Sequence, residues 1–179
     1  MEKNQSRQII RNKLALLEDK AQKSSIICKK IIALNLDCNS IMLYKALASE
    51  VNVDELIEFY LDKKDVYLPK VKGEDIVLIK IDKNTKYESG AFNIKEPIGE
   101  EISIDKASID VCITPLLGFD ESLNRLGKGK GYYDRFFAKC KTKRIGVAFE
   151  AQKLDAIDAD KHDIKLDLVL TEENTYANN

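Results

Sequence analysis

The sequence predicts an α/β protein: a single three-layer α/β/α domain over residues 1–179, with a mainly parallel, Rossmann-like sheet. Three observations carry this expectation. Short apolar runs of strand length alternate with segments whose apolar residues recur every three or four positions. No linker, internal repeat or low-complexity stretch divides the 179 residues, a length that suits one compact core. Hydrophobic residues make up 44% and charged residues 33%, a balance typical of neither disordered nor membrane-spanning chains.

The elements follow in order. Ile10, Leu14, Leu17 and Ala21 recur at helical steps, and Ile27, Ile31 and Leu34 continue the pattern after Ser24 and Ser25; two helices or one kinked helix both fit. Ser40 to Tyr44 (SIMLY) suits a buried strand, and Val53, Leu56, Ile57, Tyr60 and Leu61 mark one face of a helix. Asp65 to Leu68 and Asp75 to Ile81 read as strands separated by Pro69 and Gly73. Residues 82–108 are polar, contain Gly90, Pro97 and Gly99, and show no periodicity, so a long surface excursion is expected there; such excursions in compact domains are more often functional than idle. Ile109 to Thr114 is a buried strand ended by Pro115. Tyr132 to Cys140 forms a helix, Arg144 to Phe149 a strand, and Asp167 to Leu170 the last strand. Strands alternating with helices imply parallel pairing with both faces covered.

Charge and cysteine usage exclude several classes. With 29 basic and 30 acidic side chains, the net charge is -1, against a surface built throughout to neutralise nucleic acid. Any anion site must be local. No apolar run approaches the roughly 20 residues that span a bilayer, and the charged first residues lack a secretory pattern, so a cytoplasmic location is expected. The four cysteines, Cys28, Cys38, Cys112 and Cys140, contain no CxxC pair. Reduced, packed thiols are expected rather than a zinc site.

The stretch that carries chemistry is Arg125 to Arg135, RLGKGKGYYDR, where three glycines alternate with two lysines. Without Cβ atoms the backbone can turn its N–H groups inward to form an anion-binding nest, and the helix that follows adds its positive end. Phosphate is the natural guest. Arg125, Lys128, Lys130 and Arg135 outnumber the one acid, Asp134, by three charges in a chain that is nearly neutral elsewhere. The stretch is neither a Walker A loop nor GxGxxG, because the glycines are spaced GxGxG and Tyr132 follows. Asp134 is placed to hold magnesium beside phosphate oxygens, and equally placed to serve as a first-turn helix acid.

With Phe119-Asp120 ahead of it, this stretch resembles the hallmark RLGxGxGYYD segment of the 5-formyltetrahydrofolate cyclo-ligase family. The resemblance continues through Arg7 and Arg11 in RQIIR, Tyr44, Glu50, Pro69-Lys70, NIKEP at 93–97, Gly146 to Gln152, His162-Asp163 and Thr171-Glu172. It implies an ATP- and magnesium-dependent ligase that closes 5-formyltetrahydrofolate to 5,10-methenyltetrahydrofolate through a phosphorylated formyl group. Arg7, Arg11, Arg125, Leu126, Gly127, Lys128, Gly129, Lys130, Gly131, Tyr132 and Tyr133 would bind ATP. Tyr44 and Glu50, with Lys128, Gly129, Lys130, Gly131 and Tyr132, would face the folate. Lys128, Lys130 and Tyr132 would be catalytic, and Asp134 and Asp163 would share the metal. His162 is expected to orient its neighbours rather than act as a base.

Three departures from the family pattern stand out: Leu116 and Gly118 replace Gly and Ala, Val53 replaces Thr, and Arg7 replaces Lys. The first is expected to bear on the shape of the folate pocket; none removes a ligand. The expected partners are small molecules alone, with no nucleic acid or membrane, and the expected assembly is a monomer. Two other readings use the same loop. A small-molecule kinase would stop at a stable phosphorylated product. An RNA-binding module would need further basic and aromatic residues on one face.

Overall fold

The computed structural model describes residues 2–90 and 93–178. Twelve strands and four α-helices are described. An eight-stranded sheet runs in the order β12-β11-β10-β7-β1-β2-β3-β6. Its middle is parallel: β1 (Ser40–Met42) pairs with β2 (Asp65–Lys72) on one side and β7 (Val111–Pro115) on the other, and β10 (Lys143–Val147) joins β7 to β11 (Leu168–Leu170). The edges turn antiparallel through β3 (Asp75–Ile81) and β6 (Ile102–Ser103) at one end and β12 (Thr175–Ala177) at the other.

Alternation along the central strands decides which helix lies on which face. Ile41, Leu43 and Ile113 join the core cluster under α1 (Lys3–Leu16), α2 (Lys20–Ala33) and α3 (Asp54–Tyr60), with Ile10, Ile27 and Leu56. Met42 and Cys112 point the other way, to Phe136 and Phe137 of α4 (Tyr132–Lys139). The three-layer arrangement follows from this period of two. Three of the four cysteines are buried and all four are free. Burial pushes the Cys28 and Cys112 thiols up to about 12, which marks them as inert packing groups. Among the described residues no helix is long and apolar enough to cross a membrane.

Several expectations are corrected. Of the two readings of the first helical stretch, two separate helices holds, but the break comes at Leu17–Asp19, where Asp19 takes a left-handed φ of 56°, and not at the serines. Ser24 and Ser25 lie inside α2, and the buried Ser24 hydroxyl accepts the Asn52 N–H. Strand β2 continues through Pro69 to Lys72. The ladder to β1 stops at Tyr67, so a residue without an N–H is tolerated on the side left open.

The polar stretch 82–108 is not unstructured. It forms a hairpin of β4 (Lys86–Ser89) and β5 (Lys95–Ile98), then β6 and a 3-10 turn at Ile104–Lys106. The strand expected over Ile109 to Thr114 runs from Val111 and includes Pro115, and β12 follows the strand expected to be last. A further two-residue hairpin, β8 (Gly118–Phe119) with β9 (Arg125–Leu126), went unread because two residues show no period.

The order of the strands locates a crevice. After β1 the chain builds outward to β2 and β3, then returns to the other side of β1 at β7 and builds the opposite way. The reversal falls between β1 and β7, and in open parallel sheets the carboxyl ends of such strands border the ligand site. The segments leaving those ends are Leu43 to Glu50 and Leu116 to Arg125.

Candidate active site

The glycine-lysine loop leaves β9 and enters α4 immediately. Gly129 and Gly131 hold φ of 100° and 71°, values that side chains with a Cβ rarely adopt. A Cβ on Gly131 would also stand 2.8 Å from an Arg135 nitrogen, and one on Gly127 would stand 3.2 Å from Arg125 Nη1. The glycines thus let the backbone bend and let guanidinium groups close against it.

Arg125 is the buried centre. Its side chain is only 6% exposed, Nη2 donates to Asp134 Oδ2 at 3.1 Å, and the guanidinium lies 5.4 Å over the Tyr133 ring. Its Nε has no partner among the described residues. Arg7, from α1, donates Nε to the Gly127 carbonyl at 3.0 Å and Nη1 to Asn4 Oδ1 at 2.7 Å. Arg135 donates to the carbonyls of Lys130 and Glu74 and lies over Tyr132, so it braces the loop rather than facing a ligand. Lys130 is exposed, and among the described residues its ammonium has no ion-pair partner.

Lys128 joins the loop to the segment after β1. Its ammonium lies 2.5 Å from Glu50 Oε1, while Glu50 Oε2 accepts the Leu47 N–H at 2.9 Å. Tyr44 is buried and its hydroxyl donates to Val51 O at 2.7 Å, so in this geometry it braces the Glu50 turn. Burial first, and then the nearby Glu50 carboxylate, push the Tyr44 phenol well above its ordinary range. Burial first, and then the nearby Cys112, push the Tyr133 phenol well above its ordinary range too, and both hydroxyls stay protonated.

A cavity of about 340 Å³ opens beside this junction. Leu14, Ala15, Leu47, Ala48 and Leu117 form its apolar wall, and Arg11, Lys20 and Lys128 supply its cations. An apolar wall with three cations suits a ligand that has an apolar body and a negative charge. A second, polar cleft of about 300 Å³ lies at the start of α1, lined by Lys3, Asn4, Arg7, Asp158 and Asp160. Arg11 therefore faces the first cavity and Arg7 the second, although both were read from one motif.

The structure brings Asp134 and Asp163 onto touching segments: Asp134 Oδ1 accepts the Ile164 N–H at 3.5 Å. Each carboxylate has a cation, Arg125 for Asp134 and Lys3 for Asp163, the latter at 2.5 Å. Among the described residues no group of three metal-ligating side chains gathers. Two hard carboxylates without a full cage fit magnesium, which takes its other ligands from phosphate and water. His162 is exposed.

Three residues have structural roles that sequence reasoning did not assign. Gln152 is buried and donates to the carbonyls of Leu116 and Leu117, fixing the turn after β7. Buried Asp120 accepts the N–H groups of Asn124 and Ile157 and so holds the β8–β9 turn. Neither role has a local sequence signal. Lys3 does: it extends Arg7 and Arg11 by one more four-residue step.

Comparison with known proteins now decides the family. The model of the 5-formyltetrahydrofolate cyclo-ligase family matches residues 2–172. This chain belongs to that family. It is 34% identical to the 5-formyltetrahydrofolate cyclo-ligase of Mycoplasma pneumoniae, over 97% of this chain and 100% of the relative. The mouse cyclo-ligase is 30% identical, over 88% of this chain and 86% of the relative. The solved Aquifex aeolicus 5,10-methenyltetrahydrofolate synthetase superposes with a TM-score of 0.84 at 30% identity, covering 99% of this chain and 93% of that one. The chain is a cyclo-ligase enzyme, and the α/β class expected from its sequence holds.

Two departures from the family pattern gain a physical reading. Leu116 packs into the core with Phe119, Leu166 and Val169, and it is Leu117 that lines the cavity, so the expected effect of Leu116 on the pocket is not what this geometry shows. Leu116 lies 3.0 Å from where a Gly146 Cβ would stand, filling the space that glycine leaves. Val53 is the N-cap of α3 and has no hydroxyl with which to cap it.

Proposed function

We propose that this enzyme converts 5-formyltetrahydrofolate to 5,10-methenyltetrahydrofolate with cleavage of ATP to ADP and phosphate, the phosphate carrying away the formyl oxygen. The observation that carries the reading is Lys128: a residue of the phosphate-type loop whose ammonium pairs with Glu50 at the mouth of the apolar cavity. Nucleotide loop and folate cavity meet there, as a reaction between the two substrates requires. Family membership favours this reading over a kinase or an RNA-binding module. It goes with a cytoplasmic monomer acting on small molecules.

A formamide carbonyl is a poor electrophile, and ring closure requires its oxygen to leave. In the proposed sequence the formyl oxygen attacks the γ-phosphorus, the bond to the bridging oxygen breaks, and ADP departs. The N5 lone pair shifts into a C=N bond, giving an iminium phosphate. The N10 lone pair then attacks that carbon, the C–O bond breaks, and phosphate leaves as N10 gives up its proton.

The chain's part is alignment and charge neutralisation. Lys130 and Arg7 meet the phosphates, Arg11 and Lys128 stand between them and the folate, and Tyr132 with the glycine backbone closes the loop around the transferred group. Asp134 and Asp163 would hold magnesium, which neutralises phosphate charge when bound. The decisive assay mixes purified protein with 5-formyltetrahydrofolate, ATP and magnesium and follows methenyl absorbance. A stable phosphorylated product without that absorbance would establish a kinase; salt-sensitive RNA binding without turnover would establish a binding module.

Glu50→Gln keeps the shape but removes the charge that holds Lys128 at the cavity mouth. The apparent folate constant is expected to rise by about tenfold, the size of one lost charged contact, while the ATP constant stays nearly fixed. Steady-state kinetics in each substrate check this, and a defect confined to ATP would remove Glu50 from the folate side.

A further inference from the structure

Lys3 opens α1, and its ammonium lies 2.5 Å from Asp160 Oδ2 and 2.5 Å from Asp163 Oδ2. The two partners differ in kind. Asp160 is 74% exposed, where an ion pair contributes little in water, whereas Asp163 is only 24% exposed. Asp163 Oδ2 also accepts the Asp160 N–H at 2.7 Å, so one carboxylate oxygen is held by two donors. Lys3, Arg7 and Arg11 follow one another at four-residue steps along one helix face.

We infer that Lys3 is a positioning residue that holds Asp163 in the nucleotide-free enzyme and yields it to the divalent cation, so that metal and nucleotide bind as a coupled pair. The inference rests on the proposed role of Asp163 as a metal ligand. An ammonium in contact with Asp163 Oδ2 blocks a cation from that oxygen. A metal arriving alone must displace Lys3 from Asp163 and leave its ammonium to the exposed Asp160, a pair that contributes little in water. A metal arriving with nucleotide displaces it within the cleft lined by Glu2, Lys3, Asn4, Arg7, Asp158 and Asp160, where metal-bound phosphate oxygens offer the released ammonium a stronger partner than the exposed Asp160. The same helix thereby supplies nucleotide contacts and restrains one metal ligand until the nucleotide is present. Coupling of this kind typically changes affinity by about 5- to 150-fold.

The test is Mn²⁺ binding to nucleotide-free protein, followed by the electron spin resonance signal of the free ion. Wild type, Lys3→Met, Lys3→Arg and the double variant Lys3→Met/Asp163→Asn are compared, each checked for folding by thermal melting. Lys3→Met should bind Mn²⁺ about tenfold more tightly than wild type, Lys3→Arg should bind like wild type, and the double variant should lose the gain. Affinity in Lys3→Met equal to or below that of wild type would overturn the inference, as would a gain that survives loss of Asp163. Failure of the underlying reading is separate: there, Asp163→Asn leaves the magnesium requirement of the reaction itself unchanged.

Discussion

Arg125→Met is expected to lower both stability and ATP use more than any other single change in the loop. Methionine keeps bulk against Tyr133 but removes the arginine that pairs with Asp134. Removing one member of a buried pair typically costs about 3–5 kcal/mol. Asp134 is 24% exposed, so water relieves part of that penalty and about 1–3 kcal/mol is expected. For a domain of this size that lowers Tm by roughly 3–10 °C. Catalysis should fall further. Gly127 packs against this guanidinium, and in the proposed nucleotide site loss of one charge-assisted contact to phosphate at about 1.5–3 kcal/mol reduces kcat/KM for ATP by roughly 10- to 150-fold. Arg125→Lys separates the two effects: it restores charge near Asp134 and part of the stability, but not the planar stack on Tyr133. Thermal melts with ATP-dependent kinetics measure both, and unchanged kcat/KM in the methionine variant would remove Arg125 from the nucleotide site.

Asp134→Asn and Asp163→Asn should each raise the magnesium concentration for half-maximal rate by about tenfold or more, the lower end of what perturbing a metal site costs. The two residues lie 29 positions apart in the chain, yet the Ile164 N–H reaches Asp134, so their segments touch. If both act through one ion, the double variant shows less than the combined loss of the two singles. The alternative is structural. Asp134 would serve Arg125 and the Ile164 N–H, and Asp163 would serve Lys3 and the Asp160 N–H, so melting temperature would fall while the magnesium midpoint stayed fixed. Titration of rate against magnesium in wild type and the three variants distinguishes these results. An unchanged midpoint in both single variants would refute the shared metal.

Much of this protein was legible in its residues. Ile10-Leu14, Leu56-Ile57-Tyr60 and the apolar runs at 40–44, 75–81 and 109–114 announced their elements because each buries one face or both against the apolar clusters on the two sides of the sheet. The loop was legible for a different reason. Phosphate-type binding is done by consecutive backbone groups, so its glycines and lysines must be adjacent in sequence, and Gly129 and Gly131 do hold the positive φ that such a loop needs. What sequence could not determine is every feature whose partners are far apart in the chain. The hairpin β4–β5 has no periodic face of its own and is defined by its pairing and by packing on β2 and β3. Tyr44 and Gln152 give no local hint that one braces the Glu50 turn and the other the turn after β7. The division of labour between Arg7 and Arg11, and the clasp of Lys3 on Asp163, exist only once α1 is laid across the sheet's carboxyl edge. Backbone propensity and burial pattern are local and act before folding; ion pairs, buried hydrogen bonds and cavity walls depend on distances that only the folded chain sets.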